Sequence, residues 1–157
     1  MVLVAAVAEN GVIARDGAIP WDLREDMLHF RRTTTGHAII MGRTTYQEMG
    51  ALPNRTSIVL TRDTSFTADD AIVVHTIDEA LQAAARTHPG QPAMVVGGAQ
   101  TYRLALEAGA QTQILSEVHQ SPEGDTYYPE FDREEWAEER REPHDGFDIV
   151  WLHRKHA

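Results

Sequence analysis

The chain has 157 residues, 42% of them hydrophobic, which is enough to bury the core of one domain. Its formal net charge is -10, which argues against a nucleic-acid partner because such a partner needs a basic surface. The absence of cysteine excludes disulfides and zinc–thiolate sites. No apolar run approaches the roughly 18 to 20 residues that cross a membrane, and the opening residues are typical of a strand rather than a secretory signal. A cytoplasmic enzyme without membrane attachment is therefore expected.

Strands and helices are predicted to alternate along the chain. The continuous apolar run Val2–Ala8 is typical of a buried central strand. A loop with two turn signals follows over Glu9–Pro20, and a helix is predicted from about Leu23 to Thr34. Further short strands are predicted at residues 38–41, 57–60, 71–74, 93–96, 114–118, 135–141 and 147–153.

Three more helices complete the predicted elements. One follows Gly42 and ends near Gly50, one opens at the capping box Thr76–Glu79, and one is closed by Gly109. This order predicts an α/β fold of three layers in a single domain over residues 1–157. Its central, mostly parallel twisted sheet has about eight strands with an antiparallel C-terminal edge strand, and about four helices cover both faces.

The charge is unevenly distributed. Residues 1–62 hold six acids and seven arginines, whereas residues 117–148 hold twelve acids and three arginines. Lys155 is the only lysine beside thirteen arginines. Two explanations stay open: a GC-rich genome that favours arginine codons, or adaptation to high salt, in which an acidic, lysine-poor surface stays hydrated.

Asp26 is the most informative residue of the sequence. In a helix from Leu23 it lies on the same face as Leu23, Met27 and Phe30, because positions three, four and seven apart stack on one side. A carboxylate on an apolar face is costly unless something binds it, and its pKa can rise into a range useful for proton chemistry. The alternative is an acid at the edge of the apolar stripe, paired with Arg31 or Arg32 or bound to a backbone amide.

Two strand-to-helix corners contain glycine. Gly42 precedes Arg43-Thr44-Thr45, and Gly97-Gly98 precedes Ala99-Gln100. Free amides at a helix start favour a phosphate, and glycine lets a ligand approach the backbone closely. Neither corner is a GxGxxG or a P-loop motif. Two corners in one chain nevertheless favour a ligand with several phosphates, such as a dinucleotide across the strand ends.

These stretches together resemble the dihydrofolate reductase family over essentially the whole chain. The resemblance is carried, in order and spacing, by Gly11-Val12-Ile13, Ile19-Pro20-Trp21, the helix with Asp26 and Phe30, Met41–Thr45, Leu52-Pro53 with Arg55, Val96-Gly97-Gly98 with Tyr102, and Gly124–Pro129. It implies reduction of 7,8-dihydrofolate to tetrahydrofolate by NADPH, in the service of one-carbon metabolism and thymidylate synthesis.

The resemblance also implies residue roles. Asp26 would bind the pterin and favour protonation at its N5 through water near Trp21, and Ser116 stands where the family usually has a threonine bonded to that aspartate. Arg55 would bind the glutamate carboxylate of the substrate. The apolar wall of the substrate pocket would comprise Val4, Ala6, Met27, Phe30, Met49, Leu52 and Val96.

NADPH is the implied cofactor. Arg43 and Arg62 would receive the 2′-phosphate, and the Gly97-Gly98 peptide is commonly cis in this family. The full set of implied cofactor contacts is Ala6, Ile13, Ile19, Arg43, Thr44, Thr45, Thr61, Arg62, Gly97, Gly98, Ala99, Gln100 and Tyr102.

The loop Glu9–Asp22 would act as a lid braced by Gly124-Asp125-Thr126. Ala14, Ala99 and Gln100 depart from the glycines and the basic residue usual at these positions, which bears on lid motion and NADPH affinity.

Two other functions compete with this reading. The riboflavin-pathway reductase shares the fold but lacks the Pro-Trp, Asp and Phe signature. A non-catalytic pterin- or nucleotide-binding relative could have lost the carboxylate, whereas Asp26 is intact here. Dihydrofolate and antifolates of the diaminopyrimidine type are the expected small-molecule partners, and the chain is expected to be a monomer. No metal site is expected: the pair His153 and His156 is more typical of a terminal tail.

Overall fold

The structure, a computed structural model, describes residues 1–155; His156 lies outside the described residues. The elements in chain order are β1 (Val2–Ala8), β2 (Val12–Ala14), α1 (Arg24–Thr34), β3 (Ala38–Gly42), α2 (Arg43–Met49), β4 (Thr56–Leu60), β5 (Ile72–Val74), α3 (Ile77–Thr87), β6 (Met94–Val95), α4 (Ala99–Glu107), β7 (Thr112–Val118), β8 (Thr126–Tyr127), β9 (Trp136–His144) and β10 (Phe147–Arg154). A short 3₁₀ turn, Arg133–Glu135, precedes β9.

Eight strands form one sheet in the order β5-β4-β3-β6-β1-β7-β10-β9. The first six strands in this order run parallel to their neighbours, and β10 is antiparallel to both β7 and β9. The β9–β10 hairpin therefore forms the antiparallel C-terminal edge. The predicted α/β class, with eight strands and four helices, is confirmed.

The two faces of the sheet bury different side chains because successive residues of a strand point to opposite sides. On one face, Leu3 packs in a core cluster with the small residues of α3, such as Ala80, and with Tyr102 of α4. On the other face, Val4 belongs to a cluster that receives Phe30 of α1 and Tyr46 of α2. The helices thus cover both faces, as predicted. No helix within residues 1–155 is long and apolar enough to span a membrane.

The structure differs from the predicted elements in two places. The loop Glu9–Pro20 contains β2, which pairs with β8 in a separate two-stranded sheet; three- and two-residue strands are too short to show an alternating pattern. The strand β9 extends to His144, past the predicted end at Arg141 and through Pro143. Proline is tolerated there because β9 is an edge strand, whose free side needs no ladder hydrogen bonds.

Candidate active site

One cavity of about 1280 Å³ opens beside the carboxyl ends of the parallel strands. Its wall is built from the middle of β1, from α1, and from residues that follow β3, β4, β5 and β6. In open α/β sheets this edge is where ligands bind, since the loops of several strands converge there.

Asp26 is the acid that α1 turns inward. Its side chain lines the cavity and is only 8% exposed. Burial raises the pKa of Asp26, against the opposing effects of a hydrogen bond from the Ser116 side chain and of the charge on nearby His29. Within residues 1–155, no arginine lies within ion-pair distance of its carboxylate. The alternative of an acid neutralised by a following arginine is therefore wrong.

The sheet register brings Ser116 to this acid. Ser116 of β7 pairs with Ala6 of β1 in parallel register, and both residues line the cavity. Ser116 is itself 2% exposed. Its hydroxyl is thus a buried donor beneath Asp26, which is the position the resemblance implied for a threonine.

The inward face of α1 matches the prediction only in part. Met27 is 63% exposed, and the buried residues of the helix are Asp26, His29 and Thr34. Met27 nevertheless lines the cavity, so its side chain faces an open space rather than other protein atoms. The prediction of a common packed face is correct for Phe30 and wrong for Met27, because a helix at a cavity rim leaves some apolar side chains for a ligand.

The predicted substrate residues share one part of the wall. Arg55 lies there with its guanidinium held by two hydrogen bonds, from Nε to the Pro53 carbonyl at 2.9 Å and from Nη1 to Thr34 Oγ1 at 3.1 Å. These bonds fix the plane of the group and leave Nη2 available. The apolar residues of this part are Val4, Ala6, Met27, Phe30, Met49, Leu52 and Val96.

The two glycine corners meet in space. The backbone N–H of Gly42 donates to the Gly97 carbonyl at 2.9 Å, and the Gly97-Gly98 peptide is cis, as the resemblance implied. A Cβ at Gly42 would lie 2.9 Å from Thr101 Oγ1, and one at Gly97 would lie 3.2 Å from Thr45 Oγ1. Gly97 also has a φ of 136°, which L side chains rarely adopt. Both positions thus require the absence of a side chain.

Donors surround these corners. Arg43 Nη1 forms an ion pair with Asp63 at 2.9 Å, and its guanidinium lies over the Phe66 ring at 4.6 Å from the centroid. The start of α4 adds free amides and a favourable dipole beside Gly98. This donor set fits a nucleotide with several phosphates. All of the predicted cofactor residues line the cavity, namely Ala6, Ile13, Ile19, Arg43, Thr44, Thr45, Thr61, Arg62, Gly97, Gly98, Ala99, Gln100 and Tyr102.

The predicted lid is tied to the segment after β7. The Asp16 amide donates to Asp125 Oδ2 at 2.9 Å, and Asn10 Nδ2 donates to the Pro122 carbonyl at 2.7 Å. Ile19 reaches the cavity while remaining 61% exposed. Trp21 differs from the other predicted site residues, since it packs against the cluster of Val118, Phe147 and Ile149 and does not line the cavity.

Sequence reasoning missed several cavity residues, among them two histidines and an acid. His29 lies beside Asp26, Glu48 lies close to Gly17 of the lid, and His75 follows β5 with its Nδ1 2.8 Å from the Thr61 carbonyl. Their spacing in the sequence carries no motif. The signal that could have found His29 is its position three residues after Asp26, which places both on one side of a helix.

A donor-rich wall joined to an apolar wall with one buried acid is the arrangement of a nucleotide-dependent reductase. The dihydrofolate reductase family model matches residues 1–149. The dihydrofolate reductase HdrB of Haloferax volcanii is 44% identical over 162 residues, covering 98% of this chain and 83% of the relative. Dihydrofolate reductase 1 of Haloarcula marismortui is 38% identical over 166 residues, covering 96% and 89%. A solved structure, dihydrofolate reductase from Enterococcus faecalis complexed with NADP(H) and RAB-propyl, matches with a TM-score of 0.88 at 30% identity, covering 99% of this chain and 96% of that one.

The chain belongs to the dihydrofolate reductase family. It is an NADPH-dependent oxidoreductase, and its reaction is the reduction of dihydrofolate. The predicted family, reaction and cofactor are therefore confirmed. The two archaeal relatives come from halophiles, which fits the hypothesis of an acidic surface adapted to salt.

Proposed function

We propose that Asp26 is the catalytic group of this chain and that the product, tetrahydrofolate, supplies one-carbon metabolism and thymidylate synthesis. The observation that carries the proposal is a single buried carboxylate with a raised pKa in the cavity wall. A carboxylate without a cationic partner is expensive to bury, so a ligand that supplies donors gains strongly from it.

Pterin recognition follows from this geometry. The two oxygens of Asp26 accept hydrogen bonds from the 2-amino group and N3–H of the pterin, two donors that match one carboxylate. Ser116 donates to the same group and fixes its orientation. The ionised carboxylate, which accepts these two donors, favours protonation at N5 through water because its negative charge stabilises the protonated ring. Trp21, which packs against Val118, Phe147 and Ile149, anchors the end of the lid that precedes α1.

The glutamate tail is bound at the other end of the apolar wall. Arg55, whose plane is fixed by Pro53 and Thr34, binds the carboxylate of the tail. Val4, Phe30, Leu52 and the exposed Met27 and Met49 enclose the ring systems between the two charged contacts. This arrangement orients C6 of the pterin towards the donor-rich wall.

The cofactor would be held by the residues of the donor-rich wall. Arg43 and Arg62 receive the 2′-phosphate, the start of α4 and the hydroxyls of Thr44 and Thr45 receive the remaining phosphates, and Ala6, Ile13 and Ile19 contact the nicotinamide side. When bound, NADPH supplies the hydride for C6. Asp63 already orders Arg43 for this contact but must share it with the phosphate.

Asp26→Asn tests the assignment. We expect kcat with dihydrofolate at pH 7 to fall roughly 100-fold or more, since general acid–base groups contribute about that much, while NADPH binding measured by protein fluorescence stays unchanged. Glu25→Gln is the matched control: it removes an exposed acid from the neighbouring position of the same helix. Full turnover in Asp26→Asn contradicts the role. NADPH binding without dihydrofolate turnover in the unmodified chain would favour a different reductase substrate.

We also propose that the chain works as a single-domain monomer in the cytoplasm, binds no nucleic acid, and binds diaminopyrimidine antifolates through Asp26. The net charge of -10 supports the absence of a nucleic-acid partner. A protonated diaminopyrimidine ring presents two donors to the carboxylate, so its affinity should fall in Asp26→Asn. Sedimentation equilibrium tests the monomer, and a second species at micromolar concentration contradicts it.

A further inference from the structure

His29 is a buried base beside the catalytic acid. It follows Asp26 by three residues on α1, so the two side chains lie on the same side of the helix. Each is 8% exposed, and both line the cavity. Nothing in the dihydrofolate contacts proposed above uses His29.

The ring of His29 is seated by packing rather than by strong hydrogen bonds. It meets the Trp151 ring of β10 edge-on, with centroids 6.3 Å apart at 81°. Its Nδ1 lies 3.4 Å from Thr33 Oγ1, a long contact, and its Nε2 is buried with no hydrogen-bond partner. A buried nitrogen without a protein partner is uncommon.

Charged groups face this ring from two elements. Asp26 and Arg32 lie on its own helix, and Glu142 and His144 lie on β9, where His144 Nε2 is 2.7 Å from Glu142 Oε1. The facing group from β10, Trp151, is neutral. Burial lowers the pKa of His29, and the negative charge of Asp26 is the strongest opposing influence. Conversely, His29 is the charged group that favours the ionised form of Asp26.

We propose that His29 is a positioning residue that, once protonated, holds the Asp26 carboxylate ionised towards acid pH, and so sets the acid limit of turnover. Two ionisable groups coupled in this way bind their protons jointly. As the pH falls, the first proton taken up by the pair is shared between imidazole and carboxylate, and the second is opposed by the charge already present. The inference rests on the proposed role of Asp26 in catalysis.

Two substitutions separate charge from packing. His29→Phe keeps a ring against Trp151 and removes the base, whereas His29→Gln keeps polarity and also removes the base. We expect both to raise the pKa of the Asp26 carboxyl, followed by carbon NMR of labelled aspartate, by about half a pH unit or more. The acid limb of kcat/KM should move to higher pH by the same amount. His88→Gln, which removes a histidine at the end of α3 away from the cavity, should leave both profiles unchanged.

The carboxyl titration separates this inference from the role of Asp26. If Asp26→Asn keeps full turnover but His29→Gln raises the Asp26 pKa, the coupling stands and the catalytic role fails. If His29→Phe raises the pKa and His29→Gln does not, the effect is loss of polarity, and the inference is overturned.

A reciprocal measurement needs no His29 variant to fold. Proton NMR of the His29 ring should give a lower pKa in Asp26→Asn than in the unmodified chain, because the negative neighbour is gone. Equal His29 pKa values in the two proteins overturn the proposal.

Discussion

Carboxylates in two parts of the molecule are treated in opposite ways. Asp26 is buried in the cavity wall without an arginine in ion-pair contact, and burial raises its pKa. At the antiparallel edge, Arg141 binds Glu117, Glu138 and Asp148 at 2.7, 2.7 and 2.9 Å. There the hydrogen bond from Arg141 lowers the pKa of Glu138. We call these four residues the hairpin cluster.

The difference shows that the number of acids in a segment says little about chemistry. Residues 117–148 hold twelve acids, yet none of them lines the cavity. Exposed acids that are paired with an arginine are stable in the ionised form, and they act mainly through hydration and surface charge. A buried acid without an arginine partner has a high free energy when ionised. A ligand that donates hydrogen bonds, or a proton, lowers that free energy.

The largest expected effect concerns Arg55, whose guanidinium plane is fixed by two hydrogen bonds at the cavity wall. Arg55→Ala should raise KM for dihydrofolate about 10- to 100-fold, since a charged hydrogen bond contributes roughly 1.5–3 kcal/mol. Its kcat should change little, because the glutamate tail does not react. Arg55→Lys should recover only part of the loss, and the control Arg86→Ala, an exposed change on α3, should leave KM unchanged. An unchanged KM in steady-state assays would remove Arg55 from the site.

The next effect is a gain in stability from Asp26→Asn, whereas most substitutions of buried residues lower the free energy of unfolding. Because the folded-state pKa of Asp26 lies above its ordinary value of 3.8, ionising it costs stability as the pH rises from 3.8 through the raised value. Asn cannot ionise, so Asp26→Asn should raise the free energy of unfolding at pH 7 by about 1 kcal/mol. The gain should disappear below pH 3.8. Urea melts at both pH values measure it, with Glu25→Gln as the neutral reference; lower stability of Asp26→Asn at pH 7 contradicts the burial argument.

Sequence patterns predicted the sheet well because its central strands are buried on both faces and read as continuous apolar runs. They missed β2 and β8, whose pairing depends on the tertiary approach of two short segments. They also shortened β9, since Pro143 argues against a strand unless the strand is known to be at an edge.

The candidate site divides in the same way. Helical spacing placed Asp26 among apolar side chains, but the resemblance was needed to assign it a role; the two glycine corners followed from their position after strands. The exposure of Met27 could not be predicted from the sequence, because it depends on which side chains of α1 lie at the rim of the cavity. His75 and Glu48 come to the cavity from separate elements and carry no local signal. His29 was within reach of the same helical argument that identified Asp26.

The smallest effect belongs to the hairpin cluster. Arg141→Gln should lower the free energy of unfolding by about 1 kcal/mol or less in dilute buffer, because exposed ion pairs are screened by water. The lowered pKa of Glu138 contributes stability above its ordinary value of 4.5, which is lost on acidification, so the deficit of Arg141→Gln should shrink at low pH. This deficit should also shrink in molar KCl, because salt screens exposed ion pairs.

If the acidic surface is a salt adaptation, the unmodified chain and the reference Arg86→Gln should melt higher in KCl, by about 2–4 °C for each kcal/mol gained. A melting temperature that does not rise removes that adaptation, and a salt-independent loss in Arg141→Gln would mean that the cluster stabilises the hairpin by packing rather than by charge.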